Sequence, residues 1–276
     1  MAINNINLLK KMKRKIIVGN WKMNPTSIDE AKKLTSTISK VSTKLKNTQV
    51  VLCPPYVYLP KVVSTKNSNI SFGAQNAHGE ERGSFTGEVS PVMLKELGIK
   101  YIILGHSERR AIGETDEIIA KKVNMALELG IHPILCVGEK EHDTQGVYLD
   151  TLKTQIKNSL DKVPKKLINE LIIAYEPVWA IGAKEPMTTG VINEMVIFIK
   201  KVISDMYGQE NGKSTPILYG GSVSFRNAQD IIEKIKNDKS NALLSNTLFG
   251  IKHYQINLML CCYLFLVCLY EHVCTI

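Results

Sequence analysis

A parallel α/β fold is predicted by three observations along the 276-residue chain. Seven short β-branched runs recur, most of the segments between them carry apolar residues at helical spacing, and no Pro-, Gly- or Ser-rich linker divides them. The runs are "KIIVGNW" (Lys15 to Trp21), "QVVLCPP" (Gln49 to Pro55), "NISFGAQNA" (Asn69 to Ala77), "YIILGHSE" (Tyr101 to Glu108), "HPILCVGE" (His132 to Glu139), "LIIAYEPVW" (Leu171 to Trp179) and "PILYGGSV" (Pro216 to Val223). Their apolar residues are continuous rather than alternating, as in strands buried on both faces. Seven units fit an open or a closed sheet. A closed barrel needs an eighth strand, and "NALL" (Asn241 to Leu244) is its one evident candidate.

Ile28, Ala31, Leu34, Ile38, Val41 and Leu45 step by three or four and predict the first helix. Ser27 and Glu30 have capping-box spacing at its start. Leu149, Leu152, Ile156 and Leu160 form a second stripe, and Ile192, Met195, Ile199, Val202 and Met206 a third. Gly130, after "MALEL", stands where a helix stops.

Apolar residues at 44% and charged residues at 22% exclude a largely disordered chain. The formal charge of +9 favours anionic partners: nucleic acid, anionic lipid or a small phosphorylated metabolite. The cationic cluster "LLKKMKRK" (Leu8 to Lys15) reads first as a solvated N-terminal segment. Of six cysteines, Cys53 and Cys136 lie in the main body, and no spacing suggests zinc. No apolar stretch follows the N-terminal charge, so a signal peptide is not expected and a reducing, cytoplasmic setting is. Residues 1–12 read as an N-terminal extension, with Met12 a second candidate start; 13–244 as one barrel domain; and 245–276 as an atypical apolar, Cys-rich tail.

Chemistry concentrates where strands hand over to loops. The first run delivers Asn20 and Lys22, the fourth "GHSERR" (Gly105 to Arg110), the sixth Glu176 and the seventh "YGGS" (Tyr219 to Ser222). Singly, each has an ordinary structural reading. Together, a carboxylate, an imidazole and an ammonium at one barrel mouth suit proton removal next to a carbonyl. Gly220, Gly221 and Ser222 would add backbone N–H groups as an anion nest.

"VGNWKMN" (Val18 to Asn24), "GAQNAHGEERGSFTGEVS" (Gly73 to Ser90), "ILGHSERR", "ILCVGE", "AYEPVWAIG" and "ILYGGSV" closely resemble the triosephosphate isomerase family, in its order and spacing, from about Lys13 to Val223. The resemblance implies a (β/α)8 TIM barrel that interconverts dihydroxyacetone phosphate and D-glyceraldehyde 3-phosphate in glycolysis and gluconeogenesis, without metal or organic cofactor. It implies Glu176 as the base, His106 as a neutral electrophile, Lys22 as the positive charge and Asn20 as a substrate contact. Ser107, Glu108 and Gly221 are implied as supporting residues, Glu108 orienting Lys22. Gly182 and Ser222 are implied in substrate binding, and Cys136 as packing near the site. Gly73 to Ser90, with Thr86 at its tip, implies a homodimer; neither nucleic acid nor a membrane is an expected partner.

The chain departs from the family in two places. The lid usually reads close to A-I-G-T-G-K-x-A, whereas here it is "AIGAKEPMTTG" (Ala180 to Gly190), where Pro186 stiffens the second hinge. The paired glycines that follow the family's eighth strand are missing after "NALL". The apolar run Leu258 to Tyr270 is thirteen residues, short of the roughly 20 a membrane helix needs. A change of coding frame after Leu244 is the reading that best fits this composition. An impaired barrel acting as a binding or structural protein is therefore the alternative to an active isomerase.

Overall fold

The molecule, described here from a computed structural model, is seen over residues 15–45, 48–63, 70–180, 187–221 and 247–250. The β-branched runs become strands β1 (Lys15–Asn20), β2 (Thr48–Cys53), β3 (Ile70–Ala74), β4 (Tyr101–Leu104), β5 (His132–Val137), β6 (Ile172–Tyr175) and β7 (Ile217–Tyr219). With β8 (Thr247–Gly250) they form a closed parallel ring in chain order.

Residues of alternate parity explain why the runs are apolar throughout. Ile16, Val18, Val51, Cys53, Ile134, Cys136 and Leu218 belong to one buried cluster, inside the ring. Ile17, Val50, Leu52, Leu135 and Ile217 point the other way and pack with the helices in a larger second cluster.

The eighth strand corrects the expectation placed on "NALL". Residues 241–246 lie outside the described part, and closure is made by Thr247–Gly250 instead. Thr and Phe are good strand formers. Four residues of β8 pair with Ile17 to Asn20, whereas β7 contributes the single pair Tyr219↔Thr247.

The helices follow the predicted stripes. In α1 (Ile28–Ser42), Ala31, Leu34 and Ile38 are buried, and Ser27 Oγ accepts the Glu30 N–H at 3.3 Å. Four shorter or intermediate helices come next: α2 (Leu59–Val62), α3 (Pro91–Glu96), α4 (Ser107–Ala111) and α5 (Asp116–Glu128). Gly130, two residues beyond α5, takes φ +73° and ends it as expected. In α6 (Val147–Ser159), Leu152 and Ile156 face the core. Along α7 (Thr189–Tyr207), Ile192, Met195, Ile199 and Val202 do the same, before the short α8 (Gln209–Ser214). No helix among the described residues is long and apolar enough to cross a membrane.

Candidate active site

The end of β1 is held in an unusual shape. Asn20 is buried, and its Oδ1 accepts the Lys22 N–H at 3.0 Å. Lys22 has φ +53°, the left-handed region that non-glycine residues seldom occupy. Such strain costs on the order of 1–3 kcal/mol and persists only where the surroundings enforce it. Part of that enforcement is Gln75, just past β3, whose Nε2 donates to Lys22 O at 2.9 Å and to Cys53 O at 2.8 Å. The sequence assigns Gln75 no part; its signals were its place directly after a strand and inside the motif from Gly73 to Ser90. The Lys22 ammonium reaches across to Glu108, Nζ to Oε1 2.6 Å.

His106 and Glu108 come from the β4–α4 junction. His106 caps α4, its Nδ1 accepting the Glu108 N–H at 3.2 Å. A ring nitrogen that accepts a backbone N–H carries no proton, so in this arrangement the imidazole is neutral with its proton on Nε2. That Nε2 lies 3.6 Å from Glu176 Oε1.

Glu176 follows β6 and is only 3% exposed. Its N–H is tied to Val137 O at 2.8 Å, which continues the β5–β6 ladder past the strand end. Ser107 N–H points at Oε2 from 3.5 Å, and the Cys136 thiol is hydrogen-bonded to the same carboxylate. Burial pushes the Glu176 carboxyl above its ordinary range, with the hydrogen bonds from Cys136 and Ser107 and the Lys22 charge offsetting part of the effect. The Cys136 thiol is itself driven well up by burial and by Glu176, which makes it a poor nucleophile.

Two glycines make room for Glu176. A Cβ on Gly138 would lie 1.9 Å from its carbonyl oxygen, and one on Gly220 would lie 2.6 Å from its Cγ. Gly220 also corrects an expectation. Its N–H donates to Tyr175 O at 2.8 Å, so the sheet takes one of the donors anticipated for the anion nest. Gly221 is described, and a Cβ there would meet the Tyr219 hydroxyl. Ser222, Gly182 and Pro186 lie outside the described residues.

Thr86 is exposed in the loop between β3 and α3. That loop is pinned by His78 N–H to Val89 O at 2.8 Å and by the His78 and Phe85 rings, 4.1 Å apart. Beside it opens a cavity of about 440 Å³, lined among others by His78, Phe85, Glu88, Arg109 and Ile112.

A carboxylate, a neutral imidazole and an ammonium thus converge from β6, β4 and β1 at one end of the ring. A family profile described as triosephosphate isomerase matches residues 15–238. A Clostridium botulinum protein named triosephosphate isomerase is 46% identical over 215 residues, covering 77% of this chain and 86% of its own. Proteins of the same name from Dehalococcoides mccartyi and Acetivibrio thermocellus are 42% and 44% identical, covering 82% and 80% of this chain and 89% and 88% of their own.

Proposed function

The chain belongs to the triosephosphate isomerase family, and on that premise we propose that it interconverts dihydroxyacetone phosphate and D-glyceraldehyde 3-phosphate. The observation that carries the proposal is the approach of Glu176 Oε1 to His106 Nε2, 3.6 Å, at the mouth that also holds Lys22.

In the ketose-to-aldose direction, Glu176 takes a proton from the carbon bearing the hydroxyl. The C–H electron pair becomes the new C=C bond, and the carbonyl oxygen gains the charge. His106 donates its Nε2–H to that oxygen, and Lys22 stabilises the resulting anion. The hydroxyl proton on the first carbon passes to the former carbonyl oxygen by way of His106, and the carboxylic acid returns its proton to the former carbonyl carbon, giving the aldehyde. Burial serves both halves. It raises the basicity of Glu176 and keeps water from the enediolate. Asn20 contacts the substrate, Ser107 and Glu108 hold the base and Lys22, and Gly221 is a supporting residue; for Ser222 and Gly182, which lie outside the described residues, a substrate-binding role rests on the family resemblance.

The reading extends to a cytoplasmic homodimer in which the loop around Thr86 reaches into a second copy, near its catalytic lysine region. Exposed apolar side chains at Met23, Phe85 and Ile112 support this. Sedimentation equilibrium of the full chain and of Phe85→Glu tests it; a monomeric parent chain refutes it. For the chemistry, a coupled assay on the purified chain decides. Activity lost in Glu176→Ala and reduced mainly in kcat in Glu176→Asp supports the assignment. A folded chain without activity refutes it.

A further inference from the structure

Glu139, two residues beyond β5, is 1% exposed. One of its oxygens, Oε1, accepts the Tyr175 hydroxyl at 2.9 Å and the Trp179 indole N–H at 2.7 Å. Tyr175 immediately precedes Glu176 and Trp179 lies three residues after it. A single oxygen therefore ties the chain on both sides of the proposed base. Two backbone bonds run alongside: Glu176 N–H to Val137 O, and Val178 N–H to Glu139 O at 2.9 Å.

His142 is the third group at this oxygen, its Nδ1 3.4 Å away. With two shorter donors already in place, this contact adds little as a hydrogen bond. The ring adds more. Its centroid is 3.9 Å from that of Tyr148 at the start of α6 and 5.2 Å from that of Trp179. Trp179 is 39% exposed, so the ring supplies packing that an indole near solvent otherwise lacks.

We propose that His142 is a positioning residue: by bridging Tyr148 and Trp179 it fixes the indole against Glu139, and through Trp179 it fixes the segment that carries Glu176. The inference rests on the assignment of Glu176 as the base. It concerns a residue that touches neither substrate nor base.

The test uses the full chain with His142→Ala, His142→Phe and His142→Gln. Phenylalanine keeps a ring and removes the donor; glutamine keeps a donor and removes the ring. Trp179 emission, obtained by difference against Trp179→Phe because Trp21 also emits, is read with kcat and KM. Expected for His142→Ala is a red shift and a kcat about five-fold lower, with KM within about two-fold. Expected for His142→Phe is recovery of both, and for His142→Gln recovery of neither. Unchanged emission in His142→Ala, or recovery by glutamine alone, overturns the proposal. Should His142→Ala fail to fold, the phenylalanine and glutamine variants decide it between them. An inactive parent chain whose Trp179 emission still follows the ring would refute the isomerase reading while supporting the positioning of Trp179.

Discussion

Gly220→Ala probes how tightly the proposed base is seated. A Cβ at this position would lie 2.6 Å from Glu176 Cγ, 3.3 Å from Oε1 and 3.4 Å from Cδ. Ordinary contact begins near 3.4 Å, so one partner must retreat by about 0.8 Å. The backbone at 220 is outside the left-handed region, so alanine itself meets no conformational penalty. It is also anchored by the N–H bond to Tyr175 O, which resists a shift of the strand end. Cγ sits close to the Glu176 main chain and is not a free side-chain tip. The carboxylate must therefore swing. A base misplaced by about 1 Å costs on the order of 100-fold in rate, or about 2.7 kcal/mol of barrier. Overpacking adds about 1–3 kcal/mol of lost stability. The coupled assay should show the loss in kcat, with KM little altered, in a variant whose far-ultraviolet circular dichroism matches the parent. A kcat within about three-fold of the parent would refute the reasoning.

Three further outcomes are expected. Lys122→Met leaves the buried Glu114 carboxylate with Arg109 as its remaining cation and should cost about 1.5–3 kcal/mol in denaturant unfolding; adding Glu114→Gln should recover much of that. Gly190→Ala, in the first turn of α7 with open space around its missing Cβ, should stabilise by about 0.4–1 kcal/mol, read as a higher melting temperature. Glu176 is held above its ordinary value by burial, so the folded state binds the extra proton and loses stability as pH rises past the unfolded value of 4.5. Glu176→Gln should accordingly be more stable than the parent at neutral pH, with the difference vanishing below pH 4.5. Denaturant midpoints across that range check the sign.

Much of the fold was legible because its signals are local. A stripe such as Ile192, Met195, Ile199 and Val202 is generated by one helix and needs no knowledge of its neighbours. The mouth residues Asn20, His106 and Glu176 were legible for the same reason, since each ends an apolar run. What was hidden depends on contacts between distant segments. Gln75 matters only because β3 lies beside β2, and the Gly220 N–H is consumed only because β7 lies beside β6. The His142 ring acquires a role only when the β5–α6 connection meets the residues after β6. The eighth strand was misplaced for another reason: "TLFG" is short, and "ALL" just before it is the more evident apolar run.

The left-handed turn at Lys22 has a consequence for the order of assembly. Within residues 15–24 the bond from the Lys22 N–H to Asn20 Oδ1 supports that geometry locally, but the hold on the Lys22 carbonyl comes from Gln75, 53 residues away. Until β3 is laid against β2, Lys22 relaxes into an ordinary backbone basin and its ammonium points elsewhere. Refolding should accordingly regain strand signal before it regains turnover. The interval between the two would be a clock for the docking of a single amide side chain.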